Sequence, residues 1–186
     1  MPKITLQPRP LSRRNVLKLS LGSLFAAAPV ARVWADVLSE LSSNPMVTIE
    51  NFSVKGDSAG VVRKAKVVKS DAQWAATLSP EAFRVTRKKE ADHPYTGSYW
   101  NSRAEGMYHC VCCDTTLFDS KSKFESGTGW ASFWEPASAL NITRDGDAFS
   151  CSLCDALVGH VFTDGPTANG LRFSAYSLSL TFAAKA

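Results

Sequence analysis

The sequence predicts an all-β domain with short helices at its N-terminal side, and three observations carry that prediction. Beyond Lys89 helical periodicity stops, and short apolar segments alternate with Gly, Pro, Asp and Ser, the pattern of a sheet-built domain. Just before it, "SDAQWAATL" sets Ser70 and Gln73 at capping-box spacing, and "SPEAFRVTR" offers Ser79 as N-cap with Pro80 at the first helical position, so two short helices start there. Four of the five cysteines then fall into two C-x-x-C pairs, the mark of a small domain held by a metal.

Taken in order, residues 1–35 read as an export signal. Arg13-Arg14 is followed by the short apolar stretch "LSLGSLFAAAPVA", and Val33 and Ala35 offer small side chains for cleavage before Asp36; this is a bacterial signal opening on a twin-arginine pair. An uncleaved membrane anchor is the alternative, but the apolar stretch is short for a bilayer. The formal net charge of +4 comes from this segment, whose six basic residues (Lys3, Arg9, Arg13, Arg14, Lys18, Arg32) face no acid. The remainder carries 15 basic against 17 acidic residues, a net of −2, which argues against a nucleic-acid partner. The expected location is the periplasm, with no stable membrane anchor. Residues 36–45 form a polar linker. "MVTIENFSV" (46–54), "GDSAG" (56–60) and "VVRKAKVV" (61–68) read as strand, turn and strand, so 46–69 is expected to be a β-hairpin extension and 70–186 the main domain.

Cys110 and Cys113 form one pair and Cys151 and Cys154 the other. Each knuckle offers two thiolates, and two knuckles complete a tetrahedron around a structural zinc ion. A pair of disulfides is the competing reading in an oxidising compartment, and a redox-active C-x-x-C is another. Cys112 is left over inside the first knuckle. It reads as a small apolar filler, with a displaced nucleophile as the sharper alternative.

Three longer segments make the chain recognisable: "LSPEAFRVTRKKEADHPYTGSYW" (78–100), "LFDSKSKFESGTGWASFWEPA" (117–137) and "GHVFTDGPTANGLRF" (159–173). With the cysteine pairs between them, they resemble the methionine-R-sulfoxide reductases of the B type, from about Trp74 to Phe182. The resemblance implies two antiparallel β-sheets, a four-cysteine zinc site remote from the catalytic cleft, and a substrate of methionine sulfoxide in peptides or proteins. It also implies a chemistry. A thiolate attacks the sulfoxide sulfur, an acid protonates the departing oxygen, and the cysteine is left as a sulfenic acid. In many members a second thiol then forms a disulfide, which a thioredoxin-like partner reduces.

The same resemblance assigns Trp130 to the pocket for the substrate methyl group, His160 and Phe162 to the "GHVF" motif, and Arg172 to the position two before the nucleophile. The nucleophile's own position holds Ser174. The family pattern R-Y-C-I-N-S reads "RFSAYS" here, so Tyr176 replaces an asparagine. Leu157 stands where a family histidine falls, and Thr128 where two-cysteine members keep their second thiol. A serine hydroxyl is a far weaker acid than a thiol and needs an adjacent base; it has no counterpart to sulfenic acid and disulfide chemistry. Other roles remain open for some of these residues. Arg172 can simply pair with Asp164, and His160 can be a satisfied structural histidine. The closing segment "GLRFSAYSLSL" (170–180) reads as one strand whose apolar parity switches between Phe173 and Leu178, which predicts a bulge beside Ser174. Two functions compete on one scaffold: an exported sulfoxide reductase with impaired or altered chemistry, and a non-catalytic zinc-stabilised module that binds methionine sulfoxide or another small ligand.

Overall fold

The structure is a computed structural model and describes residues 44–185. The expected export signal, and the linker up to residue 43, lie outside the described residues. Strands β1 (Met46–Phe52) and β2 (Ser58–Ala65) form the antiparallel hairpin, each ending two or three residues from where the sequence alone sets it. Helix α1 (Asp71–Thr77) begins on the full capping box, with Ser70 Oγ accepting from the Gln73 amide and the Gln73 side chain accepting from the Ser70 amide. Helix α2 (Pro80–Lys88) is capped by Ser79 and ends at Lys89 in the left-handed conformation. Both helix starts are thus local capping events that satisfy otherwise orphaned amides.

The rest is β-structure in two antiparallel sheets. One has three strands in the order β11-β3-β4, with β3 Gly106–Cys110, β4 Thr116–Asp119 and β11 Leu180–Ala184. The other has six, in the order β5-β6-β10-β9-β8-β7: β5 Lys123–Phe124, β6 Ala131–Phe133, β7 Ile142–Asp145, β8 Ala148–Cys151, β9 Leu157–Phe162 and β10 Arg172–Ala175. The core is aromatic. Phe118 of the small sheet stacks on Phe133 of the large one at 4.2 Å between centroids, and Phe149 and Phe173 pack around them edge-on or tilted. Such pairs contribute roughly 0.5–1.5 kcal/mol beyond their burial.

The closing segment departs from the expectation of one bulged strand. β10 ends at Ala175, a 3-10 turn covers Ser177–Ser179, and β11 then joins the other sheet beside β3. The parity switch marks a chain changing sheets. A strand reversal of facing is equally produced by a bulge and by a corner, and sequence pattern alone does not separate them.

The hairpin is tied to the main sheets. The side chain of Asn141, fully buried, donates to the Glu50 and Thr116 carbonyls at 2.8 Å and accepts from the Glu50 amide at 2.8 Å. The Val67 amide donates to the Leu153 carbonyl, and Lys66 pairs with Asp155. Among the described residues no helix is long and apolar enough to cross a membrane.

Candidate functional site

Strand alternation puts Ser174 on a polar row. Ser174 is directly opposite Ser132 of β6 on one side and His160 of β9 on the other, so these three side chains share one face of the large sheet. Phe173 lies opposite Phe133 and Val161 and faces the core. The close approach of β9 to β10 depends on Gly159, where any Cβ would overlap the Ser174 carbonyl oxygen. Ser174 is 5% exposed, and no hydrogen bond engages its hydroxyl among the described residues.

His160 is held from the far side. Its Nδ1 lies 3.0 Å from the Tyr176 hydroxyl, and the two rings meet edge-on. Burial, with Asp92 and Asp147 adding negative charge nearby, pushes the Tyr176 phenol above its ordinary range, so it stays a neutral hydroxyl. Tyr176 and Leu157 pack with Val85 in a small apolar cluster that Trp130 also touches. Leu157 and Tyr176, the two positions where the resemblance expects a histidine and an asparagine, therefore pack together.

Trp130 sits on the loop before β6, with its Nε1 donating to the Asp92 carbonyl at 3.0 Å. Sequence reasoning missed Asp92. It is buried, and its Oδ2 also accepts from the Ser177 amide at 3.1 Å. It thus ties the loop that follows α2 to Trp130 and to the turn after β10. Its only sequence signal is an acid inside a Pro- and Gly-bearing loop. Ser126 was missed as well; its Oγ bridges Thr128 Oγ1 at 2.8 Å and Ser132 Oγ at 2.7 Å. Arg172 takes the pairing the sequence allowed. Its Nε and Nη2 bind both Asp164 carboxylate oxygens at 2.8 and 3.0 Å, and its guanidinium stacks 4.4 Å from the Phe162 ring. The hydrogen bonds from Arg172 hold the Asp164 carboxyl below its usual range. Phe162 is 43% exposed and forms an apolar rim beside the row.

The four paired cysteines converge. The sulfurs of Cys110, Cys113, Cys151 and Cys154 all lie within 4.8 Å of one another. Cys110 and Cys154 are 3.6 Å apart, Cys113 and Cys151 3.5 Å, and all are free thiols. A tetrahedral ion with bonds of about 2.3 Å to sulfur needs sulfurs about 3.8 Å apart. Disulfide bonding needs about 2.05 Å. The cluster can hold a metal ion, and it joins the two sheets, since Cys110 ends β3 and Cys151 ends β8. Crowding by the other thiols pushes the Cys110 thiol well above its ordinary range, a cost that a bound cation would reverse. Cys112 is half-buried against the same core, near Thr86 and Arg87 of α2, and takes no place in the Ser174 row.

An antiparallel two-sheet domain with four thiols placed to hold a metal ion, and a buried polar row beside an exposed aromatic, defines the class of this protein. The comparisons give its family. The SelR domain profile matches residues 78–184. The peptide methionine sulfoxide reductase MsrB of Thioalkalivibrio sulfidiphilus (strain HL-EbGR7) is 46% identical over 123 residues, which cover 62% of this chain and 90% of that protein. The MsrB of Hahella chejuensis (strain KCTC 2396) is 45% identical over 125 residues, 63% of this chain and 90% of its own length. That of Pseudomonas putida (strain W619) is 45% identical over 125 residues, 63% and 94%. The chain belongs to the SelR-domain, B-type peptide methionine sulfoxide reductase family.

Proposed function

We propose that this chain is a B-type methionine-(R)-sulfoxide reductase scaffold whose thiol cycle stops at Ser174, and that it binds oxidised methionine in peptides or proteins in the periplasm. One observation carries the reading. Ser174, in the family's nucleophile position, shares its face with Ser132 and His160, while four of the chain's five thiols belong to the metal cluster and the fifth, Cys112, lies inside its first knuckle. The sulfoxide oxygen can be received by hydrogen bonds in such a cleft, and Phe162 and Trp130 offer apolar surface to the methyl group. Transfer of that oxygen to a protein sulfur needs a thiolate there. We assign zinc to the four-thiolate cluster, as a closed structural site.

A second reading, turnover by altered chemistry, is favoured by the His160–Tyr176 pair, which keeps a proton donor near Ser174. If active by this route, the protein would draw on a thioredoxin-like reductant. Native protein assayed on both epimers of a methionine sulfoxide peptide with a thiol reductant separates the two. The expected result is binding of the R epimer without thiol-dependent turnover. Robust turnover that survives Cys112→Ser would overturn the first reading.

Export through the twin-arginine route rests on Arg13-Arg14 and the apolar stretch behind it. Replacing both arginines by lysine should leave precursor in the cytoplasm, read by fractionation and immunoblot. Unchanged export would reject the assignment.

A further inference from the structure

We propose that a basic cleft beside β5 docks acidic side chains of the protein that carries the oxidised methionine. The cleft, about 520 Å³, lies between the tip of the β1–β2 hairpin, the loop before β3, the segment 120–125 and the C-terminal Lys185. It gathers Lys55, Arg103, Lys121, Lys123 and Lys185 against Glu105 and Glu125. This concentration stands out because the chain beyond residue 35 is net negative. Among the described residues only Lys185 of the five cations is held in an ion pair, on Asp119 at 2.8 Å. The Lys123 ammonium is half-buried and donates to the Trp100 carbonyl at 3.1 Å. Burial, together with the neighbouring Arg103 charge and against the pull of Glu125, lowers its pKa. A cation desolvated beside another cation gains from an incoming carboxylate.

Position supports the assignment. β5 is the outermost strand of the large sheet; Phe124, register partner of Ser132, faces the same side as Ser174, and Lys123, partner of Phe133, faces the other, so the cleft they both line lies at the sheet's edge. Two interstrand steps of about 4.8 Å separate β5 from β10. An extended peptide advances about 3.3 Å per residue, so a chain seated over Ser174 reaches the β5 edge, where the basic cleft begins, after roughly three residues. The inference rests on the proposed function for what occupies the Ser174 row, but the two can fail separately.

The test is a fluorescence titration of the native protein with four short peptides. They carry methionine or its R-sulfoxide, with either acidic or neutral residues two to four positions to each side. Acidic flanks should tighten binding about five- to tenfold, and added salt should screen the gain. The exposed pair of changes Arg103→Glu and Lys121→Glu should abolish the gain without altering the far-UV spectrum. An acidic preference that is independent of oxidation would support the cleft and reject the sulfoxide reading. A preference for the sulfoxide with no effect of flanking charge would overturn the cleft. Inorganic phosphate that binds as tightly as the acidic peptides and displaces them would also overturn it, leaving a small-anion site only. Absence of binding by all four peptides would overturn both.

Discussion

Ser174→Cys is expected to confer thiol-dependent reduction of methionine-R-sulfoxide, an activity that the proposed function denies to the native protein. The substitution is nearly isosteric at a position that is 5% exposed, so the fold should tolerate it. The new sulfur would share the face of β10 with Ser132 and His160. Turnover should be weak at first. The Tyr176 hydroxyl engages His160 Nδ1, and Leu157, where the resemblance expects a histidine, is packed against Val85 and Tyr176. Misplaced or missing proton-transfer groups typically remove roughly 10²–10⁴-fold in rate. Adding Leu157→His and Tyr176→Asn should recover more than the sum of the single changes, because catalytic groups act as a unit. The triple variant should also be less stable, by about 2–4 kcal/mol, because Leu157 and Tyr176 are buried against Val85. Thermal melts alongside kinetics separate that loss from the gain in chemistry. The pH profile adds a check. The Arg172 charge is committed to Asp164 and the position is buried, so the introduced thiol has no free cation to lower its pKa and burial raises it. The active thiolate fraction, and the rate, should then rise as the pH is raised above neutrality. Silence of both variants, with folding intact, would reject Ser174 as the lesion.

Removing the metal is expected to be the larger structural insult. The cluster joins the end of β3 to the end of β8. Its second knuckle is also a docking point: Leu153 accepts from the Val67 amide, Asp155 pairs with Lys66, and Arg87 of α2 donates to the Cys154 carbonyl at 2.8 Å. Four thiols this close, three of them buried, have no favourable neutral packing to fall back on. Prolonged chelation of the purified protein should lower the melting temperature by about 10–20 °C, the effect of a loss on the order of 4–5 kcal/mol in a domain of this size. Elemental analysis should give one zinc per chain before treatment and none after. Protease cleavage should appear first in the hairpin, which hangs partly on that knuckle. Zinc-free protein with disulfides mapped to Cys110, Cys113, Cys151 and Cys154 would overturn the assignment.

Local features were legible in the sequence because local forces set them. Ser70, Gln73, Ser79 and Pro80 specify their helix starts through contacts a few residues long. The C-x-x-C spacing specifies each knuckle, since a tight turn brings its own two thiols together. The family motifs likewise singled out Trp130, His160, Phe162, Arg172 and Ser174. What the sequence could not decide was the meaning of relations between distant segments. The parity change after Phe173 read equally as a bulge or as a change of sheet, and only the pairing of β11 with β3 chooses the latter. Asp92 carried no signal beyond that of an acid in a loop, because its role lies in a hydrogen bond to a tryptophan and another to an amide 85 residues away. Leu157 and Tyr176 looked like two separate losses along the chain. Packing puts them in one cluster, where the phenol that lies beside the leucine also reaches His160. The convergence of the two knuckles belongs to the tertiary structure for the same reason. Spacing brings thiols together within a turn, and only the meeting of two sheets brings four within reach of one ion.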